Sequence, residues 1–73
     1  MPNFTKQAIK DSFLKLLNQQ PLSKISVRSI VEDCGINRNS FYYHYQDIPA
    51  LLGEIIQDEV DMLIEQYPTI SSL

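Results

Sequence analysis

The 73 residues predict an all-α fold, with three short helices built around a helix-turn-helix and a longer fourth helix behind them. Three observations carry that expectation. Apolar residues recur at helical spacing in successive stretches, a glycine separates the second stretch from the third by only three or four residues, and capping or stop residues stand at the boundaries. A chain this short buries roughly 60% of its unfolded surface, so one compact helical unit is the ceiling.

The first helix is expected over residues 5–19. Ile9, Phe13, Leu16 and Leu17 fall at i, i+4, i+7 and i+8, Lys6, Lys10 and Lys15 lie off that stripe, and Thr5 is the expected N-cap. Pro21 stops the helix, residues 22–25 form a short connection, and Ser26 suits the next N-cap. Val27, Ile30, Val31 and Cys34 then repeat the stripe over barely two turns. Gly35 follows where a left-handed residue ends a helix at least cost, and the apolar Ile36 is expected to tuck back.

Asn37 can cap a third helix over about 38–45, which makes 27–45 a helix-turn-helix, with the first helix covering its apolar side. Asp47 reads as the fourth N-cap and Pro49 sits in the first turn. Leu52, Ile55, Ile56, Val60, Leu63 and Ile64 continue the stripe to about Gln66, and Pro68 closes it. The division is therefore a three-helix domain at 1–46, a connecting helix at 47–67 and a frayed tail at 68–73.

The net charge of −3 suits a nucleic-acid binder poorly until it is divided along the chain. All six basic residues precede residue 46, beside only Asp11, Glu32 and Asp33, which gives +3. Residues 46–73 hold six acids and no base, −6, and the two parts make up the total. A bound polyanion responds to the local field, so a phosphate-facing end is compatible with an acidic chain. The acids of the fourth helix read as a solvated face, and Lys6, Lys10 and Lys24 as sources of long-range attraction.

Each helical residue advances about 100°, which sorts the third helix into faces. Phe41 and Tyr45 share the core side with Ile36. Asn39 and Tyr43 lie opposite, with Arg38 and Tyr42 on one flank and Ser40 and His44 on the other. Every exposed position can donate a hydrogen bond, as a helix entering the major groove requires. Arg38 can pair with guanine, Asn39 with adenine, and Tyr43 can stack on a base or touch a thymine methyl, so these three are the expected base readers. Ser26, Arg28, Ser40, Tyr42 and His44 are the expected phosphate and positioning contacts, the first two aided by a helix N-terminus.

Other chemistry has less to build on. His44 has no second imidazole or thiolate at ligand spacing, so no metal is expected, and no cofactor site or catalytic constellation can be assembled. Cys34 reads as a small core residue. With one cysteine and no secretory or membrane-spanning apolar run, a cytoplasmic setting is expected. A small helical protein-interaction module is the competing reading, because exposed tyrosines serve both kinds of interface.

The string from Ser26 to Tyr45, followed by Asp47 and Ala50-Leu51-Leu52, resembles the N-terminal domain of TetR-family transcriptional regulators. Gly35, Ser40, Phe41, Tyr42, His44, Tyr45, Leu51 and Leu52 occupy the family's characteristic places. The resemblance covers about residues 5–60 and implies a homeodomain-like head that binds a pseudo-palindromic operator in double-stranded DNA as part of a homodimeric bacterial repressor associated with the nucleoid. It also places Arg28, Arg38, Asn39, Ser40, Tyr42, Tyr43 and His44 at the operator. Ile48 departs from the pattern, since many members carry a phosphate-contacting lysine there. The Tyr-Tyr-His-Tyr-Gln-Asp-Ile wording is similar to a subgroup that contains regulators of dihydroxyacetone metabolism.

The resemblance further implies a ligand-binding and dimerisation domain after the fourth helix, which 73 residues cannot contain. The inducer site is accordingly expected outside this chain and dimerisation of the chain alone to be weak or absent. Leu51, Ile55, Met62 and Ile64 widen the apolar stripe of the fourth helix, as expected of a head that once packed against more protein or now packs against a second copy.

Overall fold

The computed structural model describes residues 4–67. Its helices are α1 (Phe4–Gln19), α2 (Val27–Cys34), α3 (Arg38–His44) and α4 (Ile48–Gln66), with one 3-10 turn at Leu22–Lys24. The stop at Pro68 and the tail at 68–73 lie outside the described residues.

Local chemistry sets most boundaries. Ser26 Oγ accepts the Ser29 N–H at 3.1 Å while Ser29 Oγ accepts the Ser26 N–H at 2.9 Å, a reciprocal capping box that starts α2. Gly35 ends that helix at φ 75°, ψ 32°, and the N–H groups of Gly35 and Ile36 both reach the Val31 carbonyl, at 2.9 and 3.0 Å. Asn37 Oδ1 accepts the Ser40 N–H at 2.8 Å and Asp47 Oδ1 the Ala50 N–H at 2.9 Å, which caps α3 and α4.

Two boundaries differ from expectation, and the short connection between them is found where expected but coiled. Helix α1 begins at Phe4, so Thr5 lies inside the first turn instead of capping it; a threonine is accepted at either place, and residue type alone does not fix the start. The connection at 22–25 holds a turn closed by Lys24 N–H to Pro21 O and Ile25 N–H to Leu22 O, each 3.0 Å. Helix α3 ends at His44, where the chain becomes extended at Tyr45.

The core gathers Ile9, Phe13 and Leu16 of α1, Ile25 just after the 3-10 turn, Ile30 and Val31 of α2, Phe41, Tyr45, and Leu51 and Ile55 of α4. Phe13, Phe41, Ile9, Ile30 and Leu51 are completely buried, and each contributes roughly 1.5–3 kcal/mol. Leu17, Val27, Cys34, Ile36, Ile48 and Leu52 pack around them half-buried. Leu51 and Ile55 are thus fully used inside the domain and do not widen an unpartnered stripe. The apolar surplus on α4 is instead Ile56, Val60, Met62 and Leu63, each between 40% and 54% exposed.

Charge pairing corrects a second expectation. Lys6 Nζ lies 2.6 Å from Glu54 Oε1, and Lys10 Nζ lies 3.3 Å from Glu54 Oε2 and 2.5 Å from Asp58 Oδ2. Two lysines four apart on α1 therefore face two acids four apart on α4, both pairs standing on one side of their helix. Glu54 and Asp58 do not form a merely solvated face, and Lys6 and Lys10 are partnered inside the domain rather than held for distant attraction.

Candidate nucleic-acid interface

Phe41 and Tyr45 anchor α3 from below, their rings 5.8 Å apart and tilted. With that side fixed in the core, helical geometry turns Arg38, Asn39, Tyr42 and Tyr43 outward, and all four are exposed. Tyr43 is 85% exposed and Tyr42 53%, an unusual state for rings of this size unless they meet something else. Edge-on contacts hold them, Tyr42 against Phe41 with centroids 5.5 Å apart and Tyr43 against His44 at 5.0 Å.

Ser40 and His44 are half-buried on the flank expected of them. Together with Asn37, Asn39, Tyr43 and Thr5 of α1 they line an open hollow of about 340 Å³. Its wall offers hydroxyls, amides, an imidazole and a phenol, all able to meet a polar ligand. Asn37, expected only as a cap, and Thr5 are the members that sequence reasoning left out of the site. Only the packing of α1 beside α3 brings Thr5 there, and no local signal records that.

At the start of α2, Ser26 and Arg28 are both exposed. The Ser26 hydroxyl is engaged in the capping box, and Arg28 Nε donates to Glu32 Oε1 at 3.0 Å. That pair is open to water on both sides, so it is weak, and a phosphate can compete for the guanidinium. Lys15 is taken by Asp33 at 2.6 Å. Among the described residues, Arg38 and Lys24 are the cations without a carboxylate partner, and Arg38 stands in the first turn of α3.

Burial pushes the Cys34 thiol above its ordinary range, which suits its place half-buried against the core. Among the described residues no cluster of His, Cys, Asp or Glu is arranged to hold a metal ion, and no helix is long and apolar enough to cross a membrane.

Helix α3 is therefore a short rigid rod with polar groups on three sides, offered beyond a glycine turn of three residues. The profile of bacterial regulatory proteins, tetR family, matches residues 11–55, which include the whole helix-turn-helix. The chain is 37% identical over 51 residues to the HTH-type transcriptional regulator AcrR of Shigella flexneri, covering 70% of this chain and 24% of that protein. It is 28% identical over 58 residues to the uncharacterized HTH-type transcriptional regulator YxbF of Bacillus subtilis (strain 168), covering 80% of this chain and 15% of the relative.

An HTH-type transcriptional regulator of Staphylococcus aureus (strain USA300) is 28% identical over 65 residues, 89% of this chain and 35% of its own length. The chain thus spans between 15% and 35% of the length of these relatives, and their names give no indication of the dihydroxyacetone subgroup. No solved structure matches it. Four helices among the described residues, two of them a capped helix-turn-helix, and a profile match over more than half of the sequence make this chain a member of the tetR family of DNA-binding transcriptional regulators.

Proposed function

We propose that the chain is the operator-reading head of a TetR-like transcriptional repressor, with α3 lying in the major groove of double-stranded DNA. The observation that carries this is the division of α3 between anchor and display: Phe41 is fully buried while Arg38, Asn39 and Tyr43 stand exposed on the far side. Arg38, Asn39 and Tyr43 read bases. Ser40, Tyr42 and His44 hold phosphates beside them, and Ser26 and Arg28 add contacts from the N-terminal end of α2.

Residues 1–46 form the DNA-binding unit and residues 47–67 the helix that connects it to further protein. Two heads in a homodimer address a pseudo-palindrome with half-sites about one helical turn apart. The inducer binds outside these residues, the chain alone dimerises weakly or not at all, and the setting is the bacterial cytoplasm at the nucleoid. No catalytic role belongs to this reading.

Selection from a pool of random-sequence duplexes tests it. Enrichment of a motif, with binding that weakens steeply as salt rises, supports the reading, because neutralised phosphates release counterions. No enrichment, or retention indifferent to salt, overturns it in favour of a helical protein-interaction module that uses the exposed tyrosines.

A further inference from the structure

One carboxylate joins three elements of the domain. Glu54, in the second turn of α4, accepts the hydroxyl hydrogen of Tyr45 on Oε2, takes Lys6 on Oε1 at 2.6 Å and is approached by Lys10 at 3.3 Å. Tyr45 is the residue immediately after α3, 4% exposed and packed against Phe41. The Lys6 ammonium also lies 5.6 Å above the Tyr45 ring, and Lys10 continues to Asp58 one turn further along α4. The Glu54 side chain is 31% exposed, so the cluster is sheltered without being sealed.

We infer that Glu54 is a positioning residue for DNA binding, which locks α4 to the end of α3 through Tyr45 and to α1 through Lys6 and Lys10. This rests on the function proposed above. Apolar packing of Leu51 and Ile55 holds α4 against the core, but such contacts tolerate sliding, whereas a hydrogen bond and ion pairs from three directions fix rotation about the helix axis. With the lock closed, α3 and α4 move as one body. Opening it frees the exposed face of α3 to tilt relative to whatever is attached to α4.

The test uses the 73-residue chain and the duplex enriched from a random pool. Glu54→Gln keeps the length of the side chain and removes its charge. Residual dipolar couplings read the orientation of α3 against α4 with no DNA present. In wild type both helices should fit one alignment frame; in Glu54→Gln they should require two while circular dichroism stays helical. Duplex affinity should fall about 5-fold or more, the lower end of measured couplings between sites.

Tyr45→Phe retains the core ring and loses only the hydroxyl, so it decides the question if Glu54→Gln fails to fold. Variants that keep one shared frame and wild-type affinity overturn the lock. A wild type that binds no duplex overturns the proposed function instead, and the alignment frames still decide whether Glu54 orients α4.

Discussion

Ser12 Oγ donates to Asp33 Oδ2 at 2.7 Å, tying the middle of α1 to the last turn of α2. The same oxygen lies 3.3 Å from the Ile30 carbonyl, and the residue is only 5% exposed. Ser12→Ala should therefore lower unfolding stability by about 1 kcal/mol, the net worth of one buried hydrogen bond, as measured by urea denaturation. No change would show that the shorter bond is replaced by water at no cost.

Gly35→Ala tests the turn. Its φ of 75° lies in the left-handed region, and an added Cβ would meet nothing within 4 Å, so the penalty is conformational and not steric. About 1–2 kcal/mol is expected for alanine. In a domain of this size each kcal/mol lowers the melting temperature by about 4–8 °C. Gly35→Val should cost more, because a β-branched residue suits positive φ worst, and it should unfold the motif.

Acid should weaken the domain through Glu54 and Asp33. Burial alone would raise the Glu54 pKa, but the bonds from Lys6, Tyr45 and Lys10 outweigh it and bring the carboxyl from 4.5 to about 2. The Lys15 ammonium, then the Ser12 hydroxyl, hold Asp33 below the usual carboxylate range. A carboxyl with a depressed folded pKa gives stability that is present above its unfolded value and lost as pH falls toward the folded one. The melting temperature should drop between pH 4.5 and 2, and Glu54→Gln should flatten that slope.

Alkali acts on the other partner. Burial, then the bond to Glu54, raises the Tyr45 phenol above its ordinary value of 10, so its contribution is complete below pH 10 and lost as pH rises beyond it. Thermal melts across that range should fall for wild type and stay flatter for Tyr45→Phe.

The two arginines should separate by sequence dependence. Arg38→Ala is expected to lose about 1–3 kcal/mol on the preferred duplex and relax choice at one base pair, while Arg28→Ala weakens every duplex alike and lowers the salt slope by about 1. Glu32→Gln should strengthen binding to all duplexes, because it releases the Arg28 guanidinium from its exposed partner. Fluorescence anisotropy against matched and scrambled duplexes measures all three. Equal losses for Arg38→Ala on every sequence would remove it from the base readers.

The parts of this fold legible in the sequence are those governed by neighbours in the chain. Ser26, Gly35, Asn37 and Asp47 announce helix ends because each acts within three or four residues of itself, and all four take the caps or turns expected of them. The burial of Phe41 and the exposure of Asn39 and Tyr43 follow from helical period alone.

What sequence reasoning misplaced depends on distant contacts. Lys10 and Asp58 stand 48 positions apart, and nothing near either one signals the other, so the sequence alone leaves the lysine to DNA attraction and the acid to solvent. Thr5 comes beside Ser40 and His44 only once α1 has packed against α3, which nothing near it in the chain signals.

Helix α4 has mechanical properties that follow from where it is gripped. Its buried residues end at Ile55 and its last ion pair with α1 is at Asp58, so the eight residues from Glu59 to Gln66 extend past that grip by about 12 Å at 1.5 Å per residue. That overhang is a lever that pivots near Asp58. A swing of about 5° there carries its tip roughly 1 Å. Anything attached at the tip therefore bears first on the Lys10–Asp58 pair, before it reaches Glu54 or the core.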